Sequence, residues 1–327
     1  MWNVLKFIKK HLVYSIPATM ALGIACGLIF DLSTLKTLIV PVSILMIYPI
    51  MVTVNVKSLF SQCQFKLQGV TQTVNFLVIP FIGYGLGAIF FQDSPMTAFG
   101  LLLIASLPTS GMTLSWTAFA RGNVNAAIKM TMTGLIAGTI LSPLYAKAFM
   151  GQVMTIPLTD VFQKISIIIV LPLLLGYLTR VLLIIIYGQT SFDQNLKQKF
   201  PLIATLAVLM IIFIAIGLKA RIIVDHPLFV LKMLIPLIIF YAANYTLTTV
   251  IGRMFFSRAD AVTLVYGSVM RNLSVALAMA MTIFGKKGSD IALIIAVAYI
   301  IQVQTAAVFV KISQTLFNNN KGAEDGI

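Results

Sequence analysis

The segment LLLIASLPTSGMTLSWTAFARGN, residues 101–123, decides how the chain is to be read. It opens as an apolar helix and then gathers Pro108, Thr109, Ser110, Gly111 and Thr113 in its middle. Pro108 removes a backbone donor, and Gly111 weakens helical order further. Such an interruption survives inside a membrane only where the freed backbone groups find partners or line a cavity. A second segment, AVTLVYGSVMRNLSVALAMAMTIFG at 261–285, gathers Gly267, Ser268, Arg271, Asn272 and Ser274 in the same way. Paired interruptions in the two halves of a chain point to a solute site near mid-membrane.

The composition around these segments supports a membrane setting. Of 327 residues, 59% are apolar and 10% charged, with a mean hydropathy of +1.00. Soluble domains run at about 45–50% and about 25%. A soluble enzyme, a disordered tail and a disulfide-rich secreted scaffold are therefore excluded. Lys and Arg total 23 against 9 Asp and Glu, a net charge of +14. Those cations sit mostly between apolar runs, so they speak of membrane topology and not of nucleic acid. Cys26 and Cys63 lack the spacing of a zinc site or a disulfide framework, and no cofactor is expected. The first apolar run has no A-x-A site and is expected to remain a span.

Ten runs are long enough to cross a bilayer: 11–30, 35–54, 70–92, 97–119, 124–149, 161–187, 200–218, 228–250, 261–284 and 289–314. The expected fold is an all-α polytopic membrane protein. Its ten transmembrane helices form two inverted five-helix repeats, 1–152 and 153–317, followed by a polar tail, 318–327. Helices four and nine are expected to be broken, with Pro108, Gly111 and Gly267 as the breaking residues. The loops on the N-terminal side carry the larger share of Lys and Arg, which puts both termini in the cytoplasm. The pairs Gly23–Gly27, Gly83–Gly87 and Gly134–Gly138 are expected to let helices approach closely inside the protein.

No carboxylate falls in the middle of a span; Asp260 stands at the start of the ninth and Asp290 at the start of the tenth. Arg271 is the deep charge. A cation at the bilayer centre costs roughly 2.5–3.5 kcal/mol on insertion scales, so it should face the protein interior and have a partner. It would contact an anionic solute, occupy the place of a coupling ion, or bond carbonyls freed by the helix break. The candidate substrate-binding residues are Arg271, Asn272, Ser268, Thr109, Ser110, Thr113, Asn75 and Gln302.

In this order and spacing, LMIYPIMVTV (45–54), VNFLVIPF (74–81), LPTSGMTLSW (107–116), ARGNV (120–124) and RNLSVALAMAMTIFG (271–285) resemble the bile acid:sodium symporter superfamily. The closer likeness is to its arsenite efflux branch. The resemblance implies a core and a panel domain, crossing broken helices at spans four and nine, and transport by alternating access. The arsenite branch has a cysteine after the proline of span four; here Pro108 is followed by Thr109, and a hydroxyl is a poor ligand for trivalent arsenic. The sodium-coupled branch implies ion ligands at Asn75, Thr113 and Thr131. Its span-nine acidic residue falls at Gly267 and its amide at Arg271. A guanidinium 4 Å from a sodium ion would repel it by about 4 kcal/mol at an effective dielectric near 20.

These readings favour a secondary carrier of a small organic anion or oxyanion in a bacterial or archaeal plasma membrane. The alternative is a metalloid carrier that has replaced its thiol. A third reading is a receptor on the carrier fold that detects a ligand without moving it. An intramembrane enzyme finds no support, since there is no H-E-x-x-H, no G-x-S-x-G and no catalytic carboxylate pair.

Overall fold

The computed structural model describes residues 2–53, 64–150, 171–225, 227–284 and 288–317. Cys63, His226, the start of the sixth apolar run, the boundary between the expected repeats and the tail 318–327 lie outside them. Regular structure among the described residues is helical, apart from one isolated pairing of extended chain. The helices are α1 (Trp2–Lys10), α2 (Leu12–Ile29), α3 (Ile39–Thr53), α4 (Phe65–Thr73), α5 (Ile79–Phe90), α6 (Pro95–Ser106), α7 (Gly111–Phe119) and α8 (Val124–Met150). They continue with α9 (Leu171–Tyr187), α10 (Phe200–Gly217), α11 (Ala220–Asp225), α12 (Pro227–Phe255), α13 (Arg258–Val269), α14 (Leu273–Ile283) and α15 (Gly288–Leu316).

Among the described residues, six helical stretches are long and apolar enough to cross a membrane: Leu32–Thr53, Phe65–Phe90, Val124–Phe149, Gln189–Gly217, Pro227–Phe255 and Gly288–Leu316. Shorter apolar helices cover Tyr14–Ile29, Pro95–Ser106, Leu174–Tyr187 and Leu273–Thr282. Each of the ten apolar runs overlaps one of these. α1 was not expected. Its sequence alternates Trp2, Leu5 and Ile8 with lysines, the pattern of a helix lying along an interface.

The helices gather into two compact units, neither of them one stretch of chain. The first comprises Met1–Asn55, Thr155–Leu231 and Ser274–Ile300. Its centre is α10, which is apolar and largely buried apart from Leu206 and Met210, with α2 and α3 against it. Gly23 and Gly27 make the crossing with α10 possible: a Cβ at Gly23 would lie 3.0 Å from the Phe213 carbonyl oxygen, and one at Gly27 would strike the Gly217 carbonyl. Tyr48 and Thr179 share a hydroxyl hydrogen bond of 2.7 Å between α3 and α9. Lys219 pairs with Asp290 at 2.5 Å.

The second unit comprises Val56–Met154, Lys232–Leu273 and Ile301–Ile327. Here α6 packs on α5 and α8, and α13 packs on α4, α7 and α8. Gly83 and Gly87 lie against Ala105 and Ala98 of α6, and Gly134 and Gly138 lie against Thr109 and Pro108. All three small-residue pairs thus serve packing within a unit. Between α4 and α5 the chain adopts a π-helical turn, Val74–Val78. Pro80 explains it: proline has no N–H to offer the carbonyl four residues back, at Phe76. The Tyr145 hydroxyl of α8 donates to that carbonyl instead, at 2.5 Å.

Candidate functional site

Both interruptions are present, and both lie in the second unit. The first separates α6 from α7 at Leu107–Ser110. Its cause is local. Pro108 cannot donate to the Ile104 carbonyl, so the α-helical ladder stops. Thr109 then turns the chain through φ +58, in the left-handed region. A β-branched residue held there costs about 1–3 kcal/mol. The Thr109 hydroxyl donates to the Pro108 carbonyl at 2.8 Å and to the Thr131 carbonyl of α8 at 3.3 Å. Gly134 leaves room for it, since a Cβ would fall 2.6 Å from Thr109 Oγ1.

Ser110 restarts the helix. Its side chain accepts the Met112 N–H at 3.2 Å, and Thr113 Oγ1 accepts the Ser110 N–H at 3.0 Å. This reciprocal cap satisfies two donors that a helix start leaves bare. Beside it Gly111 is exposed, and an added Cβ there would meet nothing within 4 Å. The start of α7, which carries about half a positive charge, thus has open space beside Gly111.

The second interruption runs from Met270 to Asn272, three residues beyond the expected Gly267. Gly267 stays inside α13. Its missing side chain serves packing instead: a Cβ would lie 2.6 Å from Met130 Sδ. The break is held by Gln302 of α15, whose Oε1 accepts the Arg271 N–H at 2.8 Å while its Nε2 donates to the Arg271 carbonyl at 3.3 Å. Tyr241 donates to the same Oε1 at 2.9 Å.

The two interruptions meet. Pro108 and Arg271 form an isolated antiparallel pair, and the Asn272 N–H donates to the Leu107 carbonyl at 2.8 Å. The Arg271 side chain is wholly buried. Its Nε donates at 3.1 Å to the Ile104 carbonyl that Pro108 leaves free, and its Nη2 donates to the Ala105 carbonyl. Nη1 donates to Asn75 Oδ1 at 2.8 Å and to the Ser268 carbonyl at 2.9 Å. Asn75 in turn donates to the Gly267 carbonyl at 3.0 Å. The guanidinium thus ties together the last turns of α6 and α13. Each helix end contributes about half a negative charge, so the two together balance one cation with no carboxylate among its partners.

Of the residues expected at the site, Asn75, Ser268, Arg271, Asn272 and Gln302 come together with Pro108. Thr109, Ser110 and Thr113 line the adjoining break. Thr131 back-bonds to the Ala127 carbonyl at 2.8 Å and presents its own carbonyl to Thr109. Tyr241 was not expected; its place three residues before Asn244, on one helix face, was the available signal. Asn244 donates to the Ser268 carbonyl at 3.2 Å. The Ile104, Ala105 and Ser268 carbonyls belong to the site through their place at helix ends, which no side chain announces.

Residues 33–226, more than half of the chain, match the Sodium Bile acid symporter family. The chain belongs to that family. Arsenical-resistance protein Acr3 of Alkaliphilus metalliredigens is 25% identical over 94% of this chain and 92% of its own length. An uncharacterized transporter of Synechocystis is 24% identical over 95% of this chain and 89% of its own length. Sodium/bile acid cotransporter 7 of Xenopus tropicalis is 25% identical over 50% of this chain and 47% of that protein. As a member of the sodium bile acid symporter family, the chain is an integral membrane secondary transporter and not an enzyme. Among the described residues of this family member, no group of His, Cys, Asp or Glu could hold a metal ion.

Proposed function

We propose that this transporter carries a small anionic solute, a carboxylate, sulfonate or oxyanion, by alternating access. In this reading the chain crosses the membrane ten times as two inverted five-helix repeats, and both termini are cytoplasmic. The solute meets the protein at the paired interruptions of spans four and nine. One observation carries the reading: the α7 helix starts in mid-span at Gly111, which is exposed and beside which an added Cβ would meet nothing within 4 Å. A helix start of this kind favours negative charge. The neighbouring guanidinium offsets the negative ends of α6 and α13, and no carboxylate stands among its partners to oppose an anion. Ser110 and Thr113 at the break, with Asn272 tied to the Leu107 carbonyl beside them, would complete such a site.

The test is thermal stabilisation of the purified carrier by a panel of anions, followed by tracer flux in proteoliposomes. Binding raises stability by RT ln(1 + [L]/Kd), so a ligand is visible before transport is measured. At least one anion should raise Tm for the wild type and fail to do so for Gly111→Leu, which fills the open space. Stabilisation by none of the anions would overturn the reading.

A second reading is carriage of a metalloid, favoured by the likeness to an arsenical-resistance protein over nearly the full chain. Here Thr109 occupies the position after the proline, and its hydroxyl is engaged with two carbonyls. On the anion reading arsenite should leave the wild-type Tm unchanged, and a rise would favour the metalloid. A gain of arsenite binding in Thr109→Cys would mean that the rest of a metalloid site is intact.

A further inference from the structure

We propose that the Arg271 guanidinium is a resident cation: it permanently fills an oxygen cage that would otherwise take a monovalent metal ion, and so frees the carrier from sodium. The cage is made of hard oxygens. Ile104 and Ala105 contribute carbonyls from the end of α6, Ser268 contributes one from the end of α13, and Asn75 contributes Oδ1. Carbonyls at the ends of interrupted helices, with a side-chain amide beside them, are the kind of ligands a small cation takes in a membrane.

The surroundings favour a cation over an anion at this point. Each atom within hydrogen-bond reach of the guanidinium turns a lone pair toward it. Two further oxygens, Ser268 Oγ and Asn244 Oδ1, are buried beside the cage and find no partner among the described residues. Asn244 already donates to the Ser268 carbonyl, so its free oxygen lies at the edge of the same cluster. The site therefore holds more acceptor oxygens than the guanidinium uses. An anion placed here would face lone pairs alone once the arginine was removed; a cation would find up to six oxygens.

The tether changes what the site can do. A free ion binds and leaves with the transport cycle and couples the solute to its gradient. A guanidinium on the backbone of residue 271 stays. It closes the two helix ends together in every step without drawing on an ion gradient. This consequence for transport rests on the carrier reading; the cation site itself does not.

The experiment compares the wild type with Arg271→Ala and Arg271→Lys in NaCl, KCl and choline chloride at one ionic strength, with no solute present. The wild type and Arg271→Lys should have the same Tm in all three salts. Arg271→Ala should gain a saturable rise of about 3–5 °C in NaCl or KCl over choline chloride. Adding Asn75→Ala to it should abolish that rise. If Arg271→Ala does not survive extraction in choline chloride, recovery of a monodisperse peak in NaCl replaces Tm as the readout. Equal Tm or equal recovery in all salts overturns the proposal, as does a sodium-dependent shift in the wild type. Absence of anion binding would refute the proposed solute and leave the salt titration of Arg271→Ala untouched.

Discussion

Pro108 and Arg271 lie half the chain apart, yet they pair as two extended residues, and the side chain of one repairs the hydrogen bond lost to the other. Proline leaves the Ile104 carbonyl without its N–H, and the guanidinium supplies one. The same logic recurs at Pro80, where Tyr145 serves the Phe76 carbonyl. In both places a proline opens the helix and a distant donor closes the account of polar groups, as an apolar medium requires.

Gln302 is the brace of the second break. Gln302→Leu leaves the buried N–H and carbonyl of Arg271 without the partners described here, and should cost about 2–4 kcal/mol. Tyr241→Phe removes one donor of the same group and should cost about 1 kcal/mol. Because Tyr241 acts through Gln302, its cost should vanish in the Gln302→Leu background. Denaturation of the purified single and double variants measures this coupling.

Gly134→Ala should destabilise by about 1–3 kcal/mol, because its methyl group would fall on Thr109 Oγ1, which a bend of the chain already holds. Gly85→Ala is the control. Its Cβ meets nothing within 4 Å, and alanine favours the helix, so its Tm should be equal or higher. Equal losses in the two variants would contradict the packing described for α8.

Tyr145→Phe should cost about 1–2 kcal/mol by leaving the Phe76 carbonyl bare. Combined with Pro80→Ala, which restores an N–H at that turn, the loss should shrink. A double-mutant cycle on thermal stability checks the sign of this interaction.

Asn123 caps α8 by accepting the Ala126 N–H at 3.1 Å, and donates to Asp260 at 2.8 Å at the start of α13. Asn123→Asp keeps the cap and sets two carboxylates together. It should lower Tm at neutral pH by more than Asn123→Ala, and part of that loss should be regained as pH falls toward the carboxylate range. A Tm profile between neutral and mildly acidic pH decides it.

Much of this architecture is legible in the residues themselves. The apolar runs announce the helices because the lipid leaves a long apolar segment little choice. Pro108 and the polar cluster around Arg271 announce both interruptions. The depth of Arg271 announces a buried cation with partners. What remains hidden is tertiary. Gly267 reads as a breaker but is a packing residue, because glycine has the same letter whether it bends a chain or admits a neighbour such as Met130. The donor that serves the carbonyl freed at the π-turn Val74–Val78, Tyr145, lies far along the chain. The cage around the guanidinium is built largely of carbonyls, which every residue possesses and no pattern distinguishes. The amphipathic α1 is visible in its spacing, but it is shorter than the window in which spans are sought.

The cage also bears on biosynthesis. The chain emerges from the ribosome with Asn75, Ile104 and Ala105 long before residue 271, so the receiving oxygens are in the bilayer when the arginine arrives. The costliest residue to insert thus meets a prepared berth, and vectorial synthesis spares it any period as an orphan in lipid. Reversing that order by circular permutation, so that the arginine-bearing segment is made first, should lower the yield of inserted protein while leaving the finished fold the same.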